Sequence, residues 1–341
     1  MSARHPHPLP RRPGAKQSLS VVLPVLNEAA SLRALLPALR QMLERSGLAW
    51  EIVIVDDGSS DDLADAVAEF ESAAPVNLQF LRLSRNFGKE AALTAGLAAA
   101  RGDGVVTMDS DGQHPVDLIP AMLARWREGS QIVAAVQEQR LHEPGWLVLA
   151  KRAFYRFMQG GERFTITPGA GDFRLLDRRV VDALLQMPER ARFMKGLYAW
   201  LGFRSSVLPF TAAPRAHGRS KFRLGGLLEL ASLGITSFSL KPLRMVSAAG
   251  ALVSLAALAY GLYILVETLV VGNKVSGWAT LASGMMLLSG IQLMCLGVIA
   301  EYLGRVFEEA KQRPLYVVDQ TLDHSALGAP AAQPLHRRQQ P

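Results

Sequence analysis

Val105-Val106-Thr107-Met108-Asp109-Ser110-Asp111-Gly112-Gln113-His114-Pro115 reads as a short buried strand that runs into two carboxylates one residue apart and then a turn. Its apolar part is β-branched and bounded by glycines, as a core strand should be. Alternate residues beyond a strand end can aim two carboxylates at one hard cation. Mg²⁺ and Mn²⁺ prefer such oxygen ligands together with a substrate's phosphates. Taken alone, an Asp-x-Asp pair also fits a solvated turn, so the neighbouring sequence has to decide.

Working outward, strands are expected at 19–24, 51–55, 78–83 and 131–136, with the quoted stretch as the fourth of five. Each ends in a polar cluster: Asn27-Glu28, Asp56-Asp57-Gly58-Ser59-Ser60-Asp61-Asp62, Ser84-Arg85-Asn86-Phe87-Gly88-Lys89-Glu90, and Gln137-Glu138-Gln139-Arg140. Helices lie between them. One starts near Ser31 with Asn27 as its cap, one runs to about Phe70 behind Ser60 or Asp61, and an alanine-rich one spans 91–100. This alternation predicts an α/β fold with a mostly parallel sheet. Ligands of such sheets bind beyond the carboxyl ends of the strands. Asn27, Glu28, Asp57, Arg85, Asp109, Asp111 and Arg140 are thereby expected around one crevice. Neither a G-x-G-x-x-G nor a G-K-[ST] loop occurs, which leaves carboxylates on base and ribose, and a metal on the diphosphate, as the way to hold a nucleotide.

The 341 residues suffice for one large domain or two ordinary ones, and the net charge is +7. Its basic residues sit in tails, beside apolar spans or singly, which favours a membrane surface or a phosphate-bearing substrate over nucleic acid. One cysteine, Cys295, excludes an internal disulfide framework. Residues 1–17 read as a disordered basic tail without the apolar core of a signal peptide. No charge occurs over 246–266 or over 275–300, and a bilayer span needs about 20 such residues. Transmembrane helices are expected at 245–271 and 275–303, joined as a hairpin, with glycines suited to close packing in lipid, between subunits as well. Lys241 and Arg244 before the first span, and Arg305, Lys311 and Arg313 after the second, place both ends and the preceding domain in the cytoplasm. Residues 222–244 read as amphipathic helices in the membrane interface, and 304–341 as a cytoplasmic segment disordered after about Leu322.

The ordered set of motifs carries a family resemblance. Pro24-Val25-Leu26-Asn27-Glu28, the Asp56 and Ser84 clusters and Asp109 to Pro115 resemble the GT-A inverting glycosyltransferases of family 2. So do Gly171-Asp172-Phe173-Arg174, Arg192-Phe193-Met194-Lys195-Gly196, Arg215-Ala216-His217-Gly218-Arg219-Ser220-Lys221 and Gly234-Ile235-Thr236-Ser237-Phe238-Ser239. Within that family the set is most similar to the polyprenyl-phosphate glycosyltransferases, the group that includes dolichol-phosphate mannose synthase and bacterial enzymes acting on undecaprenyl phosphate. The resemblance implies a GT-A catalytic domain over 18–221 and a metal-dependent transfer from a UDP- or GDP-linked sugar to a polyprenyl phosphate at the inner membrane. It implies that Asp57 contacts the donor's base, with Pro24, Asn27, Glu28 and Lys89 on the donor side. Asp109, Asp111 and Gln113 match the metal and diphosphate motif. Arg140, Arg152, Arg215 and Lys221 match groups that hold the diphosphate or the lipid phosphate. Gly112 departs from the pattern, where a larger residue is usual.

Asp172 falls where the family places a group near the acceptor. The acceptor is a phosphate monoester whose second pKa of about 6 leaves it mostly dianionic at neutral pH. An ionised nucleophile needs no base, so Asp172 is expected to orient groups or stabilise charge at the sugar carbon; a helix cap before Phe173 is the other account. Two other functions stay open. A processive polysaccharide synthase would carry Gln-x-x-Arg-Trp, whereas Arg125-Trp126 follows Met122. A non-catalytic nucleotide-sugar sensor would be expected to have lost the metal carboxylates, which are present.

Overall fold

The structure, a computed structural model, describes residues 17–73, 77–137, 170–190, 192–211, 241–271 and 277–327. The chain alternates β1 (Ser18–Val25), α1 (Ala29–Arg45), β2 (Ala49–Asp56), α2 (Leu63–Ala73), β3 (Leu78–Leu83), α3 (Lys89–Ala99) and β4 (Gly104–Thr107). A short 3₁₀ turn (Val116–Leu118) leads into α4 (Ile119–Arg127) and β5 (Ile132–Gln137). Then come β6 (Ala170–Asp177), α5 (Arg178–Leu185), α6 (Met194–Trp200) and β7 (Ser205–Phe210). Two long helices, α7 (Lys241–Val271) and α8 (Trp278–Ala310), precede β8 (Val318–Asp323).

The eight strands form one mixed, mostly parallel sheet in the order β7-β5-β6-β4-β1-β2-β3-β8. β1 is parallel to both β2 and β4, so successive connections leave it in opposite directions. That reversal opens a crevice at the carboxyl ends, as the sequence leads one to expect. β1 reads as a nearly continuous apolar run because both its faces are covered. On one face α1 lays down Leu32, Leu36, Leu39 and Leu43 against Leu23, Ile54 and Phe173. On the other, α3, α5 and α6 bring Leu93, Val181 and Leu197 to Val22, Val55 and Leu176. Each fully buried leucine among these contributes about 1.5–3 kcal/mol. The second face is the tighter one. A Cβ on Gly96 of α3 would stand 2.3 Å from Val22 Cγ1, so this helix lies directly on the strands that carry the site.

Three local expectations change. Asn27 does not cap α1: its backbone is left-handed, with φ 55°, and its side-chain oxygen accepts from the Ser60 N–H at 2.7 Å. The cap comes from across the sheet, where Asp61 accepts from Ala29 N at 2.9 Å. Asp61 and Ser60 thus serve the first helix end, and α1 starts before Ser31. Asp172 lies inside β6, which excludes the helix-cap account; Asp177 is the residue that caps α5, accepting from Arg179 N. The C-terminal segment keeps its structure past Leu322. β8 pairs antiparallel with β3, His324 N donates to Leu78 O at 2.8 Å, and the Ser325 hydroxyl donates to the buried Glu51 carboxylate.

α7 and α8 have 31 and 33 residues. At 1.5 Å per residue these are about 46 and 50 Å long, against about 30 Å of bilayer hydrocarbon. Among the described residues, Leu287–Ala310 is the segment long and apolar enough to cross a membrane, and Met245–Ala257 is a shorter apolar stretch. Leu252 and Leu255 on α7, and Leu293 and Met294 on α8, are exposed. The far end of α8 is tied to the globular domain, Glu309 Oε1 accepting from Arg190 N at 2.7 Å.

Candidate active site

The parallel strands β1 to β4 end on one edge, so their following turns crowd together there. β6 is antiparallel to β4, with Thr107 opposite Arg174. Its beginning therefore lies at the same edge, and the Thr107 hydroxyl donates to the Asp172 carbonyl. Five segments distant in sequence meet at this point.

The β2 turn holds the β3 turn. Asp57 N donates to Val25 O at 2.9 Å, next to the end of β1 where Pro24 stands. The Asp57 carboxylate is buried and accepts from Phe87 N at 2.7 Å and Gly88 N at 2.9 Å. Burial raises its pKa, while these two N–H groups and the Arg85 charge pull the other way. The turns can approach this closely because residue 58 is glycine. It has φ +77°, and a Cβ there would meet Arg85 C and Asn86 N at 2.7 Å. The β1 turn is joined to the β4 turn by the Ser110 hydroxyl, which donates to Glu28. Asp111 Oδ1 accepts from Gln113 N at 3.0 Å, which folds the turn back on itself. His114 accepts through Nδ1 from Asp109 N at 3.0 Å and stacks on Phe173. Burial lowers its pKa despite the neighbouring carboxylates. Through this bond His114 shapes the turn.

Lys89, the first residue of α3, sits between the two halves of the site. Its Nζ is 2.6 Å from Asp109 Oδ1 and 2.6 Å from Asp172 Oδ2. Burial alone would lower the lysine, but Asp172 and Asp109 outweigh it and hold the ammonium above its usual pKa. Burial likewise pushes Asp172 up, and the charges of Lys89, Lys195 and Arg174 override it, so this carboxyl stays below the ordinary range. The Asp172 Oδ1 atom is shut off from solvent and has no hydrogen-bond partner among the described residues. Arg174 is turned away, with Nε on Gly171 O at 2.9 Å and its guanidinium over the Tyr198 ring.

The structure thus gathers Pro24, Asn27, Glu28, Asp57, Lys89, Asp109, Asp111, Gln113 and Asp172 on one edge. Arg140, Arg152, Arg215 and Lys221 lie outside the described residues, as do 222–240 of the interfacial helices expected over 222–244; residues 241–244 instead open α7. What the motifs did not disclose is that Lys89 bridges Asp109 to Asp172, because a pair joining α3, β4 and β6 has no sequence spacing. A groove of about 780 Å³ between α1 and α4 passes behind the turn, lined by Leu35, Met42, Gly112 and His114; none of Lys89, Asp109 or Asp172 lines it.

A divalent cation such as Mg²⁺ or Mn²⁺ needs hard oxygen ligands. Asp109 already faces a cation, the Lys89 ammonium, and Asp111 adds a second hard oxygen donor two residues on. Among the described residues no cluster of three or more acidic, histidine or cysteine ligands occurs. Two carboxylates suit an ion that takes its remaining ligands from water and substrate phosphates, the usual habit of Mg²⁺.

A GT-A sheet with these turns defines a class, the glycosyltransferases, and sequence comparison agrees with it. Residues 20–185 match the profile of glycosyl transferase family 2, and residues 241–306 match that of the GtrB C-terminal hairpin. The chain belongs to family 2 of the glycosyltransferases and carries the GtrB-type hairpin. It is 42% identical over 301 residues to an uncharacterized glycosyltransferase of Synechocystis sp., covering 88% of this chain and 94% of that one. It is 36% identical over 300 residues to the bactoprenol glucosyl transferase of Shigella phage SfV, covering 88% and 97%. A solved mannosyltransferase from Pyrobaculum calidifontis, in complex with GDP-Man and Mn²⁺, aligns at 18% identity with a TM-score of 0.47 over 90% of this chain and 91% of its own.

Proposed function

We propose that the protein transfers a sugar from a UDP- or GDP-linked donor to a polyprenyl phosphate of the bactoprenol class at the cytoplasmic face of the inner membrane. The observation that carries this reading is the Lys89 bridge between the Asp109 and Asp172 carboxylates. It joins a donor side, built from the β1 to β4 turns, to a second side formed by β6. A relative spanning nearly the whole chain is named for transfer to bactoprenol, and the hairpin supplies the membrane attachment that such an acceptor requires.

Asp57, Pro24, Asn27 and Glu28 form the pocket for base and ribose. Asp109, Asp111 and Gln113 would hold Mg²⁺ or Mn²⁺, which when bound supplies positive charge to the departing diphosphate. Lys89 adds a fixed ammonium at the same place and holds Asp172 in line with the donor. An oxygen of the lipid phosphate attacks the anomeric carbon as the bond to the diphosphate oxygen breaks. Its electron pair leaves with the nucleoside diphosphate, and the carbon inverts. The nucleophile is already ionised, so Asp172 orients the reacting groups and stabilises positive charge at the sugar carbon. Arg140, Arg152, Arg215 and Lys221 are assigned to the anionic phosphates, where guanidinium groups bind strongly. Basic residues outside both expected spans, 245–271 and 275–303, support a topology with the catalytic domain and both termini in the cytoplasm.

The test incubates membranes containing the protein with labelled nucleotide sugars, undecaprenyl phosphate and Mg²⁺ or Mn²⁺, and extracts the lipid product. A labelled lipid-linked sugar is expected, and Asp111→Asn should abolish it without altering thermal unfolding. Near-normal transfer by that variant overturns the assignment.

A further inference from the structure

Glu90 follows Lys89 in the first turn of α3 and belongs to a motif whose role the chemistry above leaves open. We propose that Glu90 is a positioning residue for the transfer, an uncharged acid behind Asp172 that leaves Asp172 and Asp109 alone to share the Lys89 ammonium. The inference rests on the transfer reading above and adds a residue that makes no contact with either substrate.

The geometry supports it in three ways. Lys89 is within 2.6 Å of a carboxylate on each side, so its charge is already committed twice. Glu90 accepts from the Met194 N–H at the start of α6, while its Oε2 is cut off from solvent with no partner among the described residues. Asp172 Oδ1, whose charge reaches Glu90, is equally enclosed and equally without a donor. Two ionised carboxylates with enclosed bare oxygens beside one another would each incur a desolvation cost and repel. A proton on one of them removes both penalties.

Glu90 is the one placed to keep it. The groups facing it are Asp172 from β6, Lys89 beside it on α3, Lys195 and Tyr198 from α6, and Arg192 just before α6. Burial, with the Asp172 charge added, pushes Glu90 up to about 8, against the opposing pull of Lys89, Lys195 and the Met194 N–H. Asp172 is driven the other way by Lys89, Lys195 and Arg174. Neighbouring acids pushed apart in this manner hold different protonation states at one pH. With Glu90 neutral, the site presents one less negative charge to the incoming dianionic phosphate. Once Glu90 ionises, three carboxylates compete for Lys89, and transfer falls.

The experiment measures kcat and donor KM of the full-length protein from pH 6 to 9.5, for wild type and Glu90→Gln, alongside thermal unfolding over pH 4 to 9. A single ionisation at that position predicts that wild-type kcat drops about tenfold from pH 7 to 9. In Glu90→Gln, which keeps the shape without the titration, the ratio between the two pH values approaches one. The stability readout has a definite sign. A carboxyl whose pKa is higher folded than unfolded takes up a proton on folding. Its contribution is therefore fully present below about pH 4 and is lost as pH rises towards the folded value. Wild type should show that slope, and Glu90→Gln should lack it. If the variant retains both the alkaline fall and the slope, the proposal is overturned. A wild-type protein that makes no lipid-linked sugar sinks the transfer reading instead, and the unfolding data still decide the protonation of Glu90.

Discussion

Gly58→Ala tests how the donor pocket is built. Residue 58 has φ +77°, and an added Cβ would lie 2.7 Å from both Arg85 C and Asn86 N. The left-handed backbone costs a non-glycine residue about 1–2 kcal/mol. The collision is with backbone atoms, which cannot rotate aside, and overpacking of this kind costs about 1–3 kcal/mol more. The total of about 2–5 kcal/mol can be split with a control, because Gly47 has φ +66° and nothing within 4 Å of its added Cβ. Gly47→Ala should therefore incur only the first cost. For a domain of this size 1 kcal/mol moves Tm by about 2–4 °C, so Gly58→Ala should melt about 2–12 °C below Gly47→Ala in scanning calorimetry. The functional effect should be selective too. Pushing the β3 turn away removes the Phe87 and Gly88 N–H groups from Asp57, so donor KM should rise in Gly58→Ala and remain at the wild-type value in Gly47→Ala. Equal melting temperatures and equal donor KM in the two variants would refute this account of the turn.

The remaining predictions concern the charged centre. Chelation of divalent cations should stop transfer, and added Mg²⁺ or Mn²⁺ should restore it in wild type but not in Asp111→Asn, read from the labelled lipid product. Lys89→Met leaves Asp109 and Asp172 without their shared partner, and kcat should fall by about 10²–10³, the range for losing one preorganised electrostatic group; Lys89→Arg should recover part of it. Asp172→Asn should lower transfer by a similar factor from about pH 6.5 to 7, where the acceptor is mostly ionised and Glu90 still keeps its proton. A loss confined to pH well below 6 would show instead that Asp172 removes a proton.

The parts of this site that lie within a strand and its own turn were legible in the sequence. The apolar runs of β1 to β5 and the polar residues after them are local patterns, and α/β topology says where such turns converge. Resemblance to a family then supplied Asp172. What the sequence did not disclose depends on partners far along the chain. Asn27 looks like a cap for the helix after it, yet Ser60 claims its side chain and Asp61 replaces it, a swap visible only once β1 and β2 are adjacent. β6 runs against β4, and that direction alone brings Asp172 to Lys89. β8 resembles a polar tail by composition and becomes a strand because β3 has a free edge to offer. Glu90 stood inside a quoted motif, but the enclosure that leaves its Oε2 without a partner among the described residues has no signature in spacing.

β8 also imposes an order on how the molecule is made. Gln79 pairs with Asp323, and Arg101 with the same aspartate, so the last edge of the sheet joins residues separated by most of the chain. During synthesis the two long helices must emerge before that strand exists. Until then the edge of β3 stays open, and Glu51 lacks the Ser325 hydroxyl that completes its hydrogen bonding. The catalytic domain therefore finishes folding only after both long helices have been synthesised, which couples completion of the sheet to completion of the C-terminal helices. A chain released before Val318 would carry every catalytic group described above on a sheet that remains unclosed.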